Sequence, residues 1–191
     1  MGKEFELKYR ADDAIIEAIR EAYGDFRKIS METTYYGTAD GALSQRKWTL
    51  RRRMENDISV CTLKTPSGAH ARNEYEVECG SIEEAIPMLC SMGAPAELVQ
   101  LTKDGAIPVC GAKFTRLAKT LVLEDLTVEL ALDRGYLTGG GKMMPLAEVE
   151  AELKEGSEEA ATGFGENLAA KFGLIPESRS KFARALHLAN I

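Results

Sequence analysis

A chain of 191 residues with 45% apolar and 28% charged side chains can bury a core without disulfide staples, and its composition excludes disorder and fibrous repeats. A net charge of −6 excludes a broad nucleic-acid surface, because displacing counterions from phosphates takes an excess of Lys and Arg. The charged start Met1-Gly2-Lys3-Glu4-Phe5-Glu6 and the lack of a bilayer-length apolar run predict a cytoplasmic protein without a membrane segment.

Residues 3 to 10 alternate charged and apolar side chains, the period of a strand with two chemically different faces. A helix is expected from about Asp12, with Ile15, Ile16 and Ile19 on one side and Gly24 as its stop. Strands are predicted over 26–37, 47–55, 58–64 and 71–79, separated by Ala-Asp-Gly, Glu-Asn-Asp and Pro-Ser-Gly. Ser81 and Glu84 form a capping box for a helix that runs to Gly93. Further strands are predicted over 106–116, 120–124, 126–133 and 145–154, and helices over 157–173 and 178–189. No internal repeat or linker divides the chain, so one domain over 1–191 is expected.

At period 2 the charges share a face on strand after strand. Glu4, Glu6 and Lys8 stand together, as do Arg51 with Arg53, Arg72 with Glu74 and Glu76, Glu129 with Asp133, and Glu148 with Glu150 and Glu152. Any one such strand reads as half-solvated, but a wet face would use Ser, Thr and Gln freely. A sheet curled into a barrel would turn these charges inward and leave the apolar faces for helices outside. Glu4/Glu6 and Glu148/Glu150 then offer hard oxygen ligands suited to Mg²⁺ or Mn²⁺. Arg51, Arg53, Lys64, Arg72 and Arg116 offer contacts to phosphate oxygens.

The motif Glu4-Phe5-Glu6-Leu7-Lys8 resembles the Glu-x-Glu-x-Lys signature of the CYTH superfamily, the triphosphate tunnel metalloenzymes. It is followed in the family's order by Thr34-Tyr35-Tyr36-Gly37-Thr38, Leu50-Arg51-Arg52-Arg53, Thr62-Leu63-Lys64 and Arg72-Asn73-Glu74-Tyr75-Glu76. Val128-Glu129-Leu130-Ala131-Leu132-Asp133, Glu148-Val149-Glu150-Ala151-Glu152 and Ser180-Lys181-Phe182-Ala183-Arg184 complete the series, so the resemblance covers essentially the whole chain. It implies an α+β fold: an eight-stranded antiparallel closed barrel, the triphosphate tunnel, with helices packed outside and a C-terminal helix.

The resemblance also implies site roles. Glu4, Glu6 and Lys8 are the expected catalytic residues, and Glu4, Glu6, Glu148 and Glu150 the expected ligands of Mg²⁺ or Mn²⁺. Lys8, Arg51, Arg53, Lys64, Arg72, Arg116 and Lys181 are expected to bind substrate, supported by the acidic residues Glu74, Glu76, Glu129, Asp133 and Glu152. Phe114 stands where the family often places a basic residue, and Lys113 has the opposite parity unless a bulge restores it.

The implied activity is metal-dependent hydrolysis of a triphosphate, with tripolyphosphate favoured because the chain is most similar to bacterial inorganic triphosphatases. ATP and thiamine triphosphate are alternative substrates, and a homodimer is left open. A class IV adenylyl cyclase is the runner-up, although the His-Phe element preceding Glu-x-Glu-x-Lys in those enzymes is absent. A noncatalytic polyphosphate or nucleotide binder is a third reading, opposed by the retained glutamates.

Other signals are weaker. Gly139-Gly140-Gly141-Lys142 lacks the spacing and the Ser/Thr of a phosphate loop and reads as a hairpin turn. Gly163-Phe164-Gly165 lies in a helical pattern and lacks the third glycine of a dinucleotide fingerprint. Cys61, Cys79, Cys90 and Cys110 form no Cys-x-x-Cys pair, and with only His70 and His187 to assist them they predict buried thiols and no zinc site.

Overall fold

The computed structural model describes residues 2–67 and 72–190, with the backbone alone for residues 2–4; His70 therefore lies outside the described residues. The N-terminal segment forms two strand pieces, β1 (Gly2–Glu4) and β2 (Glu6–Arg10), interrupted only at Phe5. Helix α1 (Asp13–Tyr23) follows, started by the Asp12 carboxylate accepting from the Ile15 amide and stopped at Gly24, whose φ of 57° suits glycine. Strands β3 (Arg27–Gly37), β4 (Thr49–Glu55), β5 (Ile58–Pro66) and β6 (Arg72–Glu78) come next, with a one-turn helix α2 (Ala42–Gln45) before β4. After α3 (Ile82–Ser91) and α4 (Glu97–Leu101) come the long strands β7 (Ile107–Val122), β8 (Thr127–Gly139) and β9 (Lys142–Glu155). The chain closes with α5 (Glu158–Phe172), a two-residue β10 (Ile175–Pro176) and α6 (Lys181–Leu188).

All pairings are antiparallel, in the order β1-β6-β5-β4-β3-β7-β8-β9-β2-β10. The two ends of this order meet in one segment: Glu4 pairs with Arg72 of β6, and two residues later Glu6 pairs with Glu152 of β9. Residues 2–10 therefore act as one strand with a neighbour on each side, and eight long strands form a ring with no free long edge. The expected eight-stranded tunnel is what the chain builds.

The predicted pair of strands at 106–116 and 120–124 is one continuous strand, β7. No turn-forming residue lies between Arg116 and Thr120, and the reversal comes instead at residues 123–126. Helices α2 and α4 and strand β10 were not anticipated, because a single turn or a two-residue bridge carries too little periodicity to read.

Two groups of helices cover the outside. Ile82, Ile86, Leu89 and Leu98 of α3 and α4 bury Leu50, Leu63 and Tyr75 of β4–β6. Ile16, Ile19 and Leu168 of α1 and α5 bury Tyr9, Leu130, Leu132 and Val149. Full burial of each large aliphatic side chain contributes about 1.5–3 kcal/mol, so these layers fix the strands whose opposite face carries the charges. Gly165 has a packing role, since a Cβ there would stand 2.4 Å from the Tyr9 hydroxyl.

Helix α6 behaves differently. Phe182, Ala185 and Leu186 pack on Met31, Tyr35, Phe114, Leu137 and Leu146, which share the charged face of the sheet, so α6 lies against the inner wall. Gly139 makes room for it, because a Cβ there would stand 2.3 Å from the Ala185 carbonyl oxygen; the Gly139-Gly140-Gly141 run is the tight β8–β9 turn. Among the described residues no helix is long and apolar enough to cross a membrane.

Candidate functional site

The register carries the charges of neighbouring strands into one cavity. On the β4–β5–β6 side, Arg51 lies beside Thr62 and Thr62 beside Glu76, while Lys64 lies beside Glu74. Three of the ion pairs here are long: Arg51–Glu74 at 3.5 Å, Lys64–Glu74 at 3.3 Å and Arg53–Glu76 at 3.9 Å. Arg53 also pairs with Glu55, and Thr62 donates a 3.1 Å hydrogen bond to Glu76. The Nε of Arg53 is buried and has no hydrogen-bond partner. Burial, and then the neighbouring Arg51, push the Arg53 pKa below its ordinary value. A buried donor that keeps its charge among other cations is stabilised by an anion.

The β7–β8–β9 side is built otherwise. Arg116 on β7 donates to both oxygens of Asp133 on β8, at 2.8 and 2.7 Å, and also pairs with Glu150 on β9. Lys181, brought in by α6, lies 2.8 Å from Asp133 and 2.6 Å from Glu150 and also contacts Glu148. Arg184, one turn further along α6, completes the group on Glu148. Three carboxylates thus meet three cations, with Asp133 and Glu148 at 0% exposure. The Phe114 ring covers the group, its centroid 5.3 Å from Lys181 Nζ and 5.8 Å from Arg116 Cζ.

The electrostatics of this group follow from that packing. Burial alone would raise Glu150, yet Lys181 and Arg116 hold it well below the usual carboxylate range. Burial pushes Glu148 up to about 7, with the Glu150 carboxylate adding to the effect. Burial would lower Lys181, but Asp133, Glu150 and Glu148 raise it above its ordinary value.

Between the two sides runs β2. Glu6 stands opposite Glu152, Lys8 opposite Glu150 and Arg10 opposite Glu148. Lys8 bonds Glu6 at 2.9 Å and Lys154 pairs with Glu152 at 2.7 Å. Glu129 is the next neighbour of Glu152 across the β8–β9 ladder. Burial works against the Lys8 charge, but Glu6 raises its pKa overall. The side chain of Glu4 lies outside the described residues; its backbone pairs with exposed Arg72 at one end of the tunnel. Lys113 does not reach the cavity: no bulge shifts it, and it pairs with Glu32 at 2.9 Å on the outer face.

Of the sequence-predicted residues, the structure brings Glu6, Lys8, Arg51, Arg53, Lys64, Glu74, Glu76 and Glu152 around the less enclosed part of the cavity. It gathers Arg116, Asp133, Glu148, Glu150 and Lys181 into the sealed cluster. Arg184, Glu55 and Tyr35 were not foreseen. Arg184 had a signal in its i+3 spacing from Lys181. Tyr35 shares the parity of the charged face but is apolar enough to read as core, and it is fully buried beside Phe182 with ring centroids 5.0 Å apart. Among the described carboxylates, Asp133, Glu148 and Glu150 offer oxygens within 4.8 Å of one another.

The CYTH domain family model matches residues 2–186. This chain belongs to the CYTH family. The CYTH chain is 28% identical over 199 residues to an inorganic triphosphatase of Haemophilus influenzae, an alignment covering 100% of this chain and 56% of that protein. It therefore spans little more than half the length of that curated relative. Its fold matches a Pyrococcus horikoshii protein with a TM-score of 0.65 at 24% identity, covering 96% of this chain and 98% of that one. A Hippeastrum protein whose structure revealed a dominant triphosphatase activity matches with a TM-score of 0.64 at 20% identity, over 95% and 94% of the two chains.

Proposed function

We propose that this CYTH chain hydrolyses a linear triphosphate, most readily inorganic tripolyphosphate, with the help of a divalent cation. The observation that carries the reading is the Arg51, Arg53, Lys64 and Lys8 strip. The Arg51–Glu74, Lys64–Glu74 and Arg53–Glu76 pairs are long, the buried Nε of Arg53 has no hydrogen-bond partner, and the strip faces carboxylates across the same cavity. These cations hold the phosphates, Arg53 by its forked guanidinium and Lys64 and Lys8 as point charges. Arg72 extends the strip at the tunnel end. Arg116 and Lys181 reach an anion only by giving up one of their carboxylate contacts, so they serve first to hold the wall of the cavity.

The carboxylates on this wall supply the hard oxygens a divalent cation takes, in exchange for the contacts of Glu6 with Lys8 and of Glu152 with Lys154. Glu6 and Glu152 stand directly opposite each other on one face, with Glu150 beside them. These residues together with Glu4 would hold Mg²⁺ or Mn²⁺, with Glu148 behind them as an anchor rather than a ligand. Such an ion would neutralise phosphate charge and lower the pKa of a water in its sphere. The chain's own part is to align the triphosphate and to place positive charge where it builds up at the leaving oxygen. Neither Cys61 nor Cys110 is an activated nucleophile; burial pushes Cys61 up to about 11 and Cys110 up to about 12.

The test is phosphate release from tripolyphosphate, ATP and thiamine triphosphate with Mg²⁺, Mn²⁺ or EDTA, with cyclic AMP assayed alongside. Metal-dependent release, greatest from tripolyphosphate, is expected. Cyclic AMP from ATP would replace this reading by the cyclase, and binding without turnover would replace it by a noncatalytic binder.

A further inference from the structure

The strand ends give the tunnel two electrically different mouths. One mouth is formed where β4 turns into β5, where β7 turns into β8, and where β6 and β9 end. It exposes Asp57, Glu78, Glu124, Asp125 and Glu155, opposed there by Arg27, Lys28 and Lys154. The other mouth is formed where β2 and β8 end and where β4, β6 and β9 begin. It exposes Arg10, Arg46, Lys47, Arg72, Lys142 and Arg179, opposed by exposed Asp12, Asp13 and Asp40 and by buried Glu177, which pairs with Arg10 and Arg179, while Lys103 and Asp104 in the loop before β7 cancel. The chain as a whole carries −6, so cations gathered at one end are a local departure from its average.

We propose that the polyanionic substrate enters and leaves through the Arg46–Lys47–Arg72–Lys142 mouth, while the opposite, acidic mouth repels it. The proposal rests on the triphosphate reading of the cavity and adds a direction to it. Fixed charges around an opening with low-dielectric walls focus the field and raise the local concentration of an oppositely charged ligand. An acidic rim does the reverse to a triphosphate. The inner cations continue the basic mouth inward along β4 and β5, with Lys64 nearest the basic end and Arg51 and then Arg53 deeper. Helix α6 lies mainly against β7, β8 and β9, including the β8–β9 turn at this mouth, and its Phe182 also meets Tyr35 beside Arg51.

Two double reversals of equal size separate a directed field from net charge alone. Arg46→Glu with Lys47→Glu alters the basic mouth, and Glu124→Lys with Asp125→Lys alters the acidic one; all four residues are exposed and lie outside the proposed site. Tripolyphosphate binding is measured by calorimetry without metal, and its hydrolysis with Mg²⁺. At low salt the basic-mouth variant is expected to bind about tenfold more weakly and to show KM raised to match with kcat unchanged, the acidic-mouth variant staying within about twofold of the parent. At about 0.5 M salt the difference should vanish, because screening then acts over a few ångströms. Equal and opposite changes from the two variants would mean that net charge alone matters, and no change from either would mean that neither mouth steers; both results overturn the proposal. Binding that shows the predicted asymmetry without any hydrolysis would overturn the enzymatic reading and leave the route of entry supported.

Discussion

On the β7–β8–β9 side of the tunnel three carboxylates meet three cations in close contact, sealed under Phe114 and α6, whereas the β4–β5–β6 side draws on the same residue types and, apart from the close Arg53–Glu55 pair, holds Arg51–Glu74, Lys64–Glu74 and Arg53–Glu76 at longer distances. Arg51, Arg53 and Lys64 face Glu55, Glu74 and Glu76, but most of those contacts exceed 3 Å, and Glu76 retains 44% of its side-chain exposure. Composition alone would make the two sides equivalent. What separates them is how closely these partners approach and how deeply the charges are enclosed. Charges packed closely in an enclosed cluster fix the position of a helix; charges held at longer distances on a less enclosed wall exchange a partner for a ligand at less cost.

The largest effect should come from breaking the sealed cluster. Lys181→Ala leaves three buried carboxylates facing two cations and is expected to cost about 3–5 kcal/mol in urea unfolding. Arg53→Ala should cost much less than Lys181→Ala, because burial and the neighbouring Arg51 already disfavour its charge. Equal losses would erase the distinction between the two sides.

Next in size is Glu6→Gln, which removes a proposed cation ligand without changing shape. Turnover should fall at least about 100-fold, as expected for the loss of several kcal/mol of transition-state stabilisation, and the Mg²⁺ requirement should rise. Glu148→Gln, by contrast, should act on stability before it acts on the metal requirement. A Glu148 variant with a raised Mg²⁺ requirement and an unaltered melting temperature would move that carboxylate from anchor to ligand. Arg53→Ala should lower kcat/KM by about 10- to 100-fold, the range for losing one charge-assisted contact of about 1.5–3 kcal/mol.

The smallest effect concerns the approach to α6. Hydrogen bonds from Arg179 lower the Glu177 pKa to about 2. A carboxylate with a depressed folded pKa contributes stability that is present above its unfolded value near 4.5 and is lost as pH falls toward 2. Thermal unfolding between pH 5 and 3 should therefore be less pH-dependent in Glu177→Gln than in the parent. An unchanged slope would show that Glu177 does not help to seat α6.

Much of this was legible in the sequence. Period 2 placed Glu6, Lys8, Arg51, Arg53, Glu74, Glu76, Asp133, Glu148, Glu150 and Glu152 on one face, and the same parity kept Lys113 out of the cavity. Which charges meet was not legible, because it depends on the stagger of the closed ring, in which Glu4 adjoins Arg72 while Glu6 adjoins Glu152. Nor was the inward seat of α6: Phe182, Ala185 and Leu186 form an apolar stripe like that of any outer helix, and only the tertiary fold decides which wall it meets.

The most direct test of the central claim, that the loose cationic side holds the triphosphate, is calorimetric titration of tripolyphosphate into the parent and Arg53→Ala, with melting temperatures recorded on the same samples. The account predicts at least tenfold weaker binding by the variant at an essentially unchanged melting temperature. Unchanged affinity would contradict it and would move the phosphate site away from β4.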